Sequence, residues 1–160
     1  MEETNILTVS ASPHQRKRRT TKTIMLDVII ALLPALAASV WFFGPRTLLV
    51  TGVSVLSCVL FEFVARKIMK RPNTIWDLSA VVTGILLAFN LPSNMPLEMV
   101  VVGAFVSIIV IKQFFGGIGD NFVNPALGGR IVLMLSFSKN MSSFPAPFAW
   151  KNHLDAITQA

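Results

Sequence analysis

Apolar residues in this chain do not alternate with polar ones. They gather in five stretches, residues 24–43, 48–65, 78–91, 97–115 and 126–137, separated by short polar, glycine-bearing or proline-bearing breaks. Stretches that are apolar on every side predict helices surrounded by lipid or by other helices. The first two and the fourth have roughly the length needed to cross about 30 Å of hydrocarbon. The third, about 14 residues, reaches only about 21 Å at 1.5 Å per residue, and the fifth is shorter still. Both short stretches predict broken or re-entrant helices. Pro34 lies inside the first stretch, where it is expected to kink the helix or leave a carbonyl without its donor. Asp77 precedes the third stretch as an expected helix cap, and Thr83-Gly84 in its middle permits close helix packing or approach to a ligand.

Composition agrees with the pattern. Of the 160 residues, 53% are hydrophobic and only 14% charged, too little charge to cover a solvated surface, and the mean hydropathy is +0.65. The expected class is therefore an all-α integral membrane protein. A net charge of +6 raises the question of nucleic acid. Its basic residues, however, stand in two blocks beside apolar spans, and they lack the interleaved aromatics of a nucleic-acid face. Arg16, Lys17, Arg18, Arg19 and Lys22 lie in the tail, and Arg66, Lys67, Lys70 and Arg71 follow the second span, whereas the loops at 44–47 and 92–98 carry only Arg46 between them. By the positive-inside rule the amino terminus is cytoplasmic, and five crossings place the carboxy-terminal segment outside. The resulting organisation is a basic cytoplasmic tail over 1–23, a transmembrane bundle over 24–137 and an extracytoplasmic loop over 138–160. The apolar segment after the tail exceeds a signal-peptide core and has no small-residue cleavage site, so it is expected to be retained.

Candidate chemistry is sparse. Cys58 is the single cysteine, which rules out an internal disulfide or a cysteine-ligated cluster within this chain and predicts a buried structural thiol. There is no serine-histidine-acid arrangement, metal-spaced histidine or cysteine cluster, phosphate loop or Rossmann fingerprint. His14 reads as a solvated loop histidine. Among acids near membrane depth, Glu62 stands one turn from Arg66, which allows an (i, i+4) interfacial pair or an ion-path carboxylate. Asp27, one turn inside the first span, is the preferred ion-pathway candidate, and Lys112 is expected to snorkel back to the interface.

The most informative stretch is 114–130, Phe-Phe-Gly-Gly-Ile-Gly-Asp-Asn-Phe-Val-Asn-Pro-Ala-Leu-Gly-Gly-Arg. Gly116, Gly117 and Gly119 permit positive φ or close backbone approach, Asn121 and Asn124 can donate and accept, and Pro125 fixes φ where a helix can restart. Such a segment is a tight turn or a binding site. Irregular backbone at membrane depth must be buried in protein or line a cavity, which favours the binding site. The asparagines would then serve as ligand contacts or satisfy backbone groups at the break.

This segment resembles the Phe-Gly-Gly-x-Gly-x-Asn-x-x-Asn-Pro-Ala signature of the membrane flavoprotein family that includes the D subunit of the Rnf ferredoxin:NAD oxidoreductase and the B subunit of the sodium-pumping NADH:quinone reductase. Further resemblances are Ser12-Pro13-His14, Ala31-Leu32-Leu33-Pro34, Trp76-Asp77-Leu78-Ser79-Ala80-Val81-Val82-Thr83-Gly84 and Leu91-Pro92, and the short tail resembles the Rnf side of the family. The resemblance implies half of an inverted-repeat bundle similar to the urea-transporter architecture, here the amino-terminal half. It also implies a subunit of a prokaryotic inner-membrane complex passing electrons from ferredoxin to NAD, coupled to Na+ or H+ movement, with sibling subunits as partners.

Residues 155–160, Asp-Ala-Ile-Thr-Gln-Ala, resemble the family's flavinylation motif, in which FMN is joined through its phosphate to a threonine. Asp155, Ala156, Thr158 and Ala160 match and Gln159 departs from the usual glycine; the acceptor threonine would follow Ala160. The resemblance further implies a non-covalent riboflavin near the cytoplasmic side, for which Gly116, Gly117, Gly119, Asn121, Asn124 and Pro125 are the candidate residues. The alternative is a channel or secondary transporter on the same scaffold, with the broken spans forming a solute path.

Overall fold

In the computed structural model, residues 20–70, 75–117, 121 and 123–151 are described. Most of the basic tail, the flavinylation-like residues Asp155, Thr158 and Ala160, and Gly119 of the central motif lie outside the described residues. Among those described the chain is helical without strands: α1 (Thr21–Phe43), α2 (Arg46–Ile68), a 3-10 turn (Ile75–Asp77), α3 (Ser79–Phe89), α4 (Leu97–Phe105) running into a π-helical segment (Val106–Gln113), α5 (Pro125–Ser136), the short α6 (Ser138–Met141) and a 3-10 turn (Ala149–Lys151).

Two helices, α1 and α2, are long and apolar enough to cross a membrane, each about 34 Å at the standard rise. Large apolar side chains such as Ile30, Leu33, Leu49, Leu56, Leu60 and Leu135 face outward. Together with the apolar shorter helices this gives a bundle whose exterior suits lipid. Helix α1 continues through Pro34 and buries none of its residues, so it lies at the margin. The core is built where α2, α3, α4 and α5 meet, around Cys58, Leu87, Val100, Ala104, Ile108 and Leu133.

Small residues set the spacing inside the bundle. A Cβ on Gly84 would stand 2.6 Å from the Cα of Val55, so α3 lies directly against the α2 backbone. Ser54 Oγ fastens the crossing by donating to Gly84 O at 2.8 Å. The expectation of close packing at Thr83-Gly84 holds. On the opposite side Gly128 of α5 faces Ile111, and Gly129 faces Ser107 and the carbonyl of Gly103.

The loops sort to two ends. At one end, Arg46 donates to Asn94 O (3.3 Å), Asn94 Nδ2 donates to Ser143 Oγ (3.1 Å) and Phe148 N–H donates to Phe42 O (2.7 Å). At the other, Lys22 stands 5.9 Å over the Trp76 ring and Arg66 meets Gly117. Both short helices therefore run from one end to the other. Asp77 departs from expectation. The N-cap of α3 is Leu78, with φ 59° and no side-chain cap bond, because Asp77 is taken up in the preceding 3-10 turn.

Candidate functional site

The π segment decides what faces the interior. Along α4 and into the following turn, Val100, Gly103, Ala104, Ser107 and Ile108 are buried, a spacing of three and four that an α-helix would continue at Ile111. Instead Phe114 N–H donates to Ile109 O (3.2 Å) and Gly117 N–H to Lys112 O (3.0 Å), each five residues back. The extra residue per turn moves the inward face on by one position. Lys112 and Gln113 are buried in place of Ile111. Wide turns of this kind are rare and concentrate at functional sites.

Lys112 consequently does not snorkel to the interface. It is 2% exposed, and its Nζ donates to Glu62 Oε2 and to Ser79 Oγ, each at 2.7 Å. Glu62, 0% exposed, stands one helical turn from Arg66 and also has this partner 50 residues away in sequence. Three elements converge on this centre: α2 supplies the carboxylate, α3 its first residue Ser79, and the π segment the ammonium. Removing two charges from water costs several kcal/mol per ion before their attraction is counted, so the pair survives only because partner and hydroxyl are both in place. Arg66, 7% exposed, sits with its guanidinium against Gly117, 3.0 Å from where a Cβ would be.

The glycine break begins here. Gly116 and Gly117 adopt φ 109° and 106°, a region open to glycine but strained for other residues, and they turn the chain directly after the π segment. Past the break, Asn124 Oδ1 accepts from Ala126 N–H at 3.0 Å and Pro125 occupies the first turn of α5. Pro125 restarts the helix as expected. The Asn124 oxygen satisfies a backbone group, leaving its Nδ2 to any ligand. Asn121 differs: its Oδ1 is buried without a hydrogen-bond partner, and so are both amide atoms of Gln113. Each such buried polar atom costs about 1–3 kcal/mol while unmatched.

Asp27 lies on the exposed side of α1. Among the described residues no cluster of histidine, cysteine and acid could hold a metal, and Cys58 is a buried free thiol, as expected. At the opposite end a cavity of about 380 Å³ is lined by apolar groups from α1, α2 and α3, with Ser39, Thr47 and Ser93 at its wall.

Sequence reasoning missed Lys112, Gln113 and Ser79. The available signal was a lysine and a glutamine in an apolar span, four and three residues before a Gly-Gly pair, with an acid on another span to match.

A model of the NQR2, RnfD, RnfE family matches residues 8–160. The D subunit of the Na(+)-translocating ferredoxin:NAD(+) oxidoreductase complex of Acetobacterium woodii is 51% identical over 143 residues, 89% of this chain and 45% of the relative. The D subunit of an ion-translocating oxidoreductase complex of Psychromonas ingrahamii is 40% identical over 137 residues, 84% of this chain and 39% of the relative. Its counterpart in Salmonella newport is 38% identical over 145 residues, 89% of this chain and 41% of the relative. The chain spans less than half the length of these curated relatives.

Proposed function

Because the chain belongs to the NQR2, RnfD, RnfE family, we propose that it forms part of a flavin-carrying membrane subunit of a redox-driven ion pump that passes electrons from ferredoxin to NAD. The Lys112–Glu62 pair carries this reading. Charges buried in an apolar helix bundle are expensive and are kept where an ion or electron path uses them. The pump would be coupled to Na+ or H+, and its sibling subunits would be the partners.

In this reading the bundle crosses a prokaryotic inner membrane five times with its amino terminus inside, as one half of an inverted repeat. The glycine break with Lys112, Glu62 and Arg66 lies at the cytoplasmic end, and the cavity end with the Gly44–Arg46 turn lies outside.

The residues present fit a flavin. Gln113 and Asn121 offer unmatched amide atoms and Asn124 its Nδ2, while Gly116 and Gly117 turn the chain through positive φ beside them. With Gly119 and Pro125 these would hold a non-covalent riboflavin. FMN would be joined to the threonine following Ala160, with Asp155, Thr158 and Ala160 as its recognition segment. A bound flavin supplies electron-carrier chemistry. The protein's own part is to exclude water through its apolar walls, to fix the polar contacts through α5 and the π segment, and to keep compensated charge beside them.

The test is in-gel flavin fluorescence and mass spectrometry on the full-length protein, including the residue after Ala160. The expected result is an FMN phosphoester on that threonine. An adduct on Thr158 would show the motif to be misaligned. Solute flux through protein devoid of flavin would replace this reading with a channel or transporter.

A further inference from the structure

We infer that Gln113 reads the imide edge of the non-covalent flavin, the C=O, N–H, C=O row of its pyrimidine ring, through a cyclic pair of hydrogen bonds. The inference rests on the flavin reading above. Gln113 is 1% exposed, and neither Oε1 nor Nε2 has a partner. A primary amide presents a donor and an acceptor side by side, so whatever matches both must offer an acceptor next to a donor. A cation would leave Nε2 unmatched. A quinone or a phosphate dianion offers only acceptors and would leave Oε1 unmatched. An imide edge satisfies both atoms at once.

The surroundings hold the amide in place. Gln113 ends the π segment, next to Lys112, whose ammonium is locked to Glu62 and Ser79. Its backbone carbonyl accepts from Gly116 N–H at 3.3 Å, and the chain then reverses through two glycines with positive φ. Asn121 Oδ1, the second buried group without a partner on the same break, accepts from a further donor, which the ribityl hydroxyls of riboflavin supply. A buried water could also bridge these amides, and the experiment decides between the two.

The experiment uses the full-length protein in its assembled complex. Extractable riboflavin is measured by chromatography and covalent FMN by in-gel fluorescence, for wild type, Gln113→Met and Gln113→Glu. Gln113→Met keeps shape while removing both hydrogen-bonding atoms, and Gln113→Glu removes the donor. Both should lower extractable riboflavin at least about tenfold, as expected when a site built to bond a polar edge loses its match, with covalent FMN and subunit content unchanged. A full riboflavin complement in Gln113→Met would overturn the assignment and leave the amide to water. Wild type without extractable riboflavin would instead sink the underlying flavin reading. Should the variants fail to assemble, wild-type complex stripped of extractable flavin is titrated with riboflavin and with its N3-methyl analogue, which lacks the imide N–H. At least about tenfold weaker binding of the analogue is expected, and equal binding would overturn the proposal.

Discussion

The two ends of the bundle are held by different physics. At the glycine-break end a carboxylate, an ammonium and a hydroxyl meet in the interior, three helices contribute one group each, and the backbone leaves α-helical geometry to bring them together. At the other end the loops are joined by single neutral or surface hydrogen bonds around an apolar cavity. Charge in a low-dielectric interior is specific and intolerant, because losing one partner strands the other. Apolar packing around a void is forgiving, since its contacts are many and individually small. The molecule thus concentrates its sensitivity to substitution at the end where the candidate chemistry lies.

The sharpest way to break this contrast is to strand the lysine. Glu62→Gln should destabilise the protein by about 3–5 kcal/mol, read as a large fall in the thermal unfolding midpoint of detergent-solubilised protein. Glu62→Leu with Lys112→Met should recover most of that loss. If the single variant melted like wild type, the charged end would be no more sensitive than the other. Next in size is Gly84→Val, whose Cβ would meet the Val55 backbone. It should cost about 1–3 kcal/mol by overpacking, and a neutral outcome would mean that α3 can slide on α2.

Asn124→Ala removes the α5 cap and should cost about 1 kcal/mol, whereas Asn124→Ser should retain most of it. Comparing the riboflavin content of these two variants separates capping from ligand contact. The smallest effect belongs to the cavity: Ala35→Leu, filling part of the void, should change stability by no more than about 1 kcal/mol, in the stabilising direction. A loss comparable to that of Glu62→Gln would erase the distinction between the ends.

Much of the architecture is legible in the sequence because lipid-facing helices announce themselves by composition. The five stretches, the Gly84 crossing and the helix restart at Pro125 follow from local rules, and the structure bears them out. The Lys112–Glu62 contact does not follow, for a definite reason. An α-helical wheel continues the buried face of 100, 103, 104, 107 and 108 at 111, and nothing local in Val106–Gln113 announces hydrogen bonds five residues back. Asp77 misleads because a capping residue type is expected at the helix start, while the intervening 3-10 turn and the left-handed Leu78 displace it. The expected pairing of Glu62 with Arg66 comes from their (i, i+4) spacing, the one relation a sequence displays directly. Gln113 stays hidden for the same reason as Lys112.

The wide turn also makes this span unusually sensitive to arithmetic. A helix that carries one residue more than its register requires can shed that residue without losing any side chain of the charged centre. Removing Val110 should let 106–113 rewind as an ordinary helix that keeps Lys112 on the inward face, whereas rewinding with every residue retained would carry the ammonium away from its carboxylate, although Lys112, Glu62 and Ser79 would all still be encoded. In this segment the count of residues, as much as their identity, is inherited information.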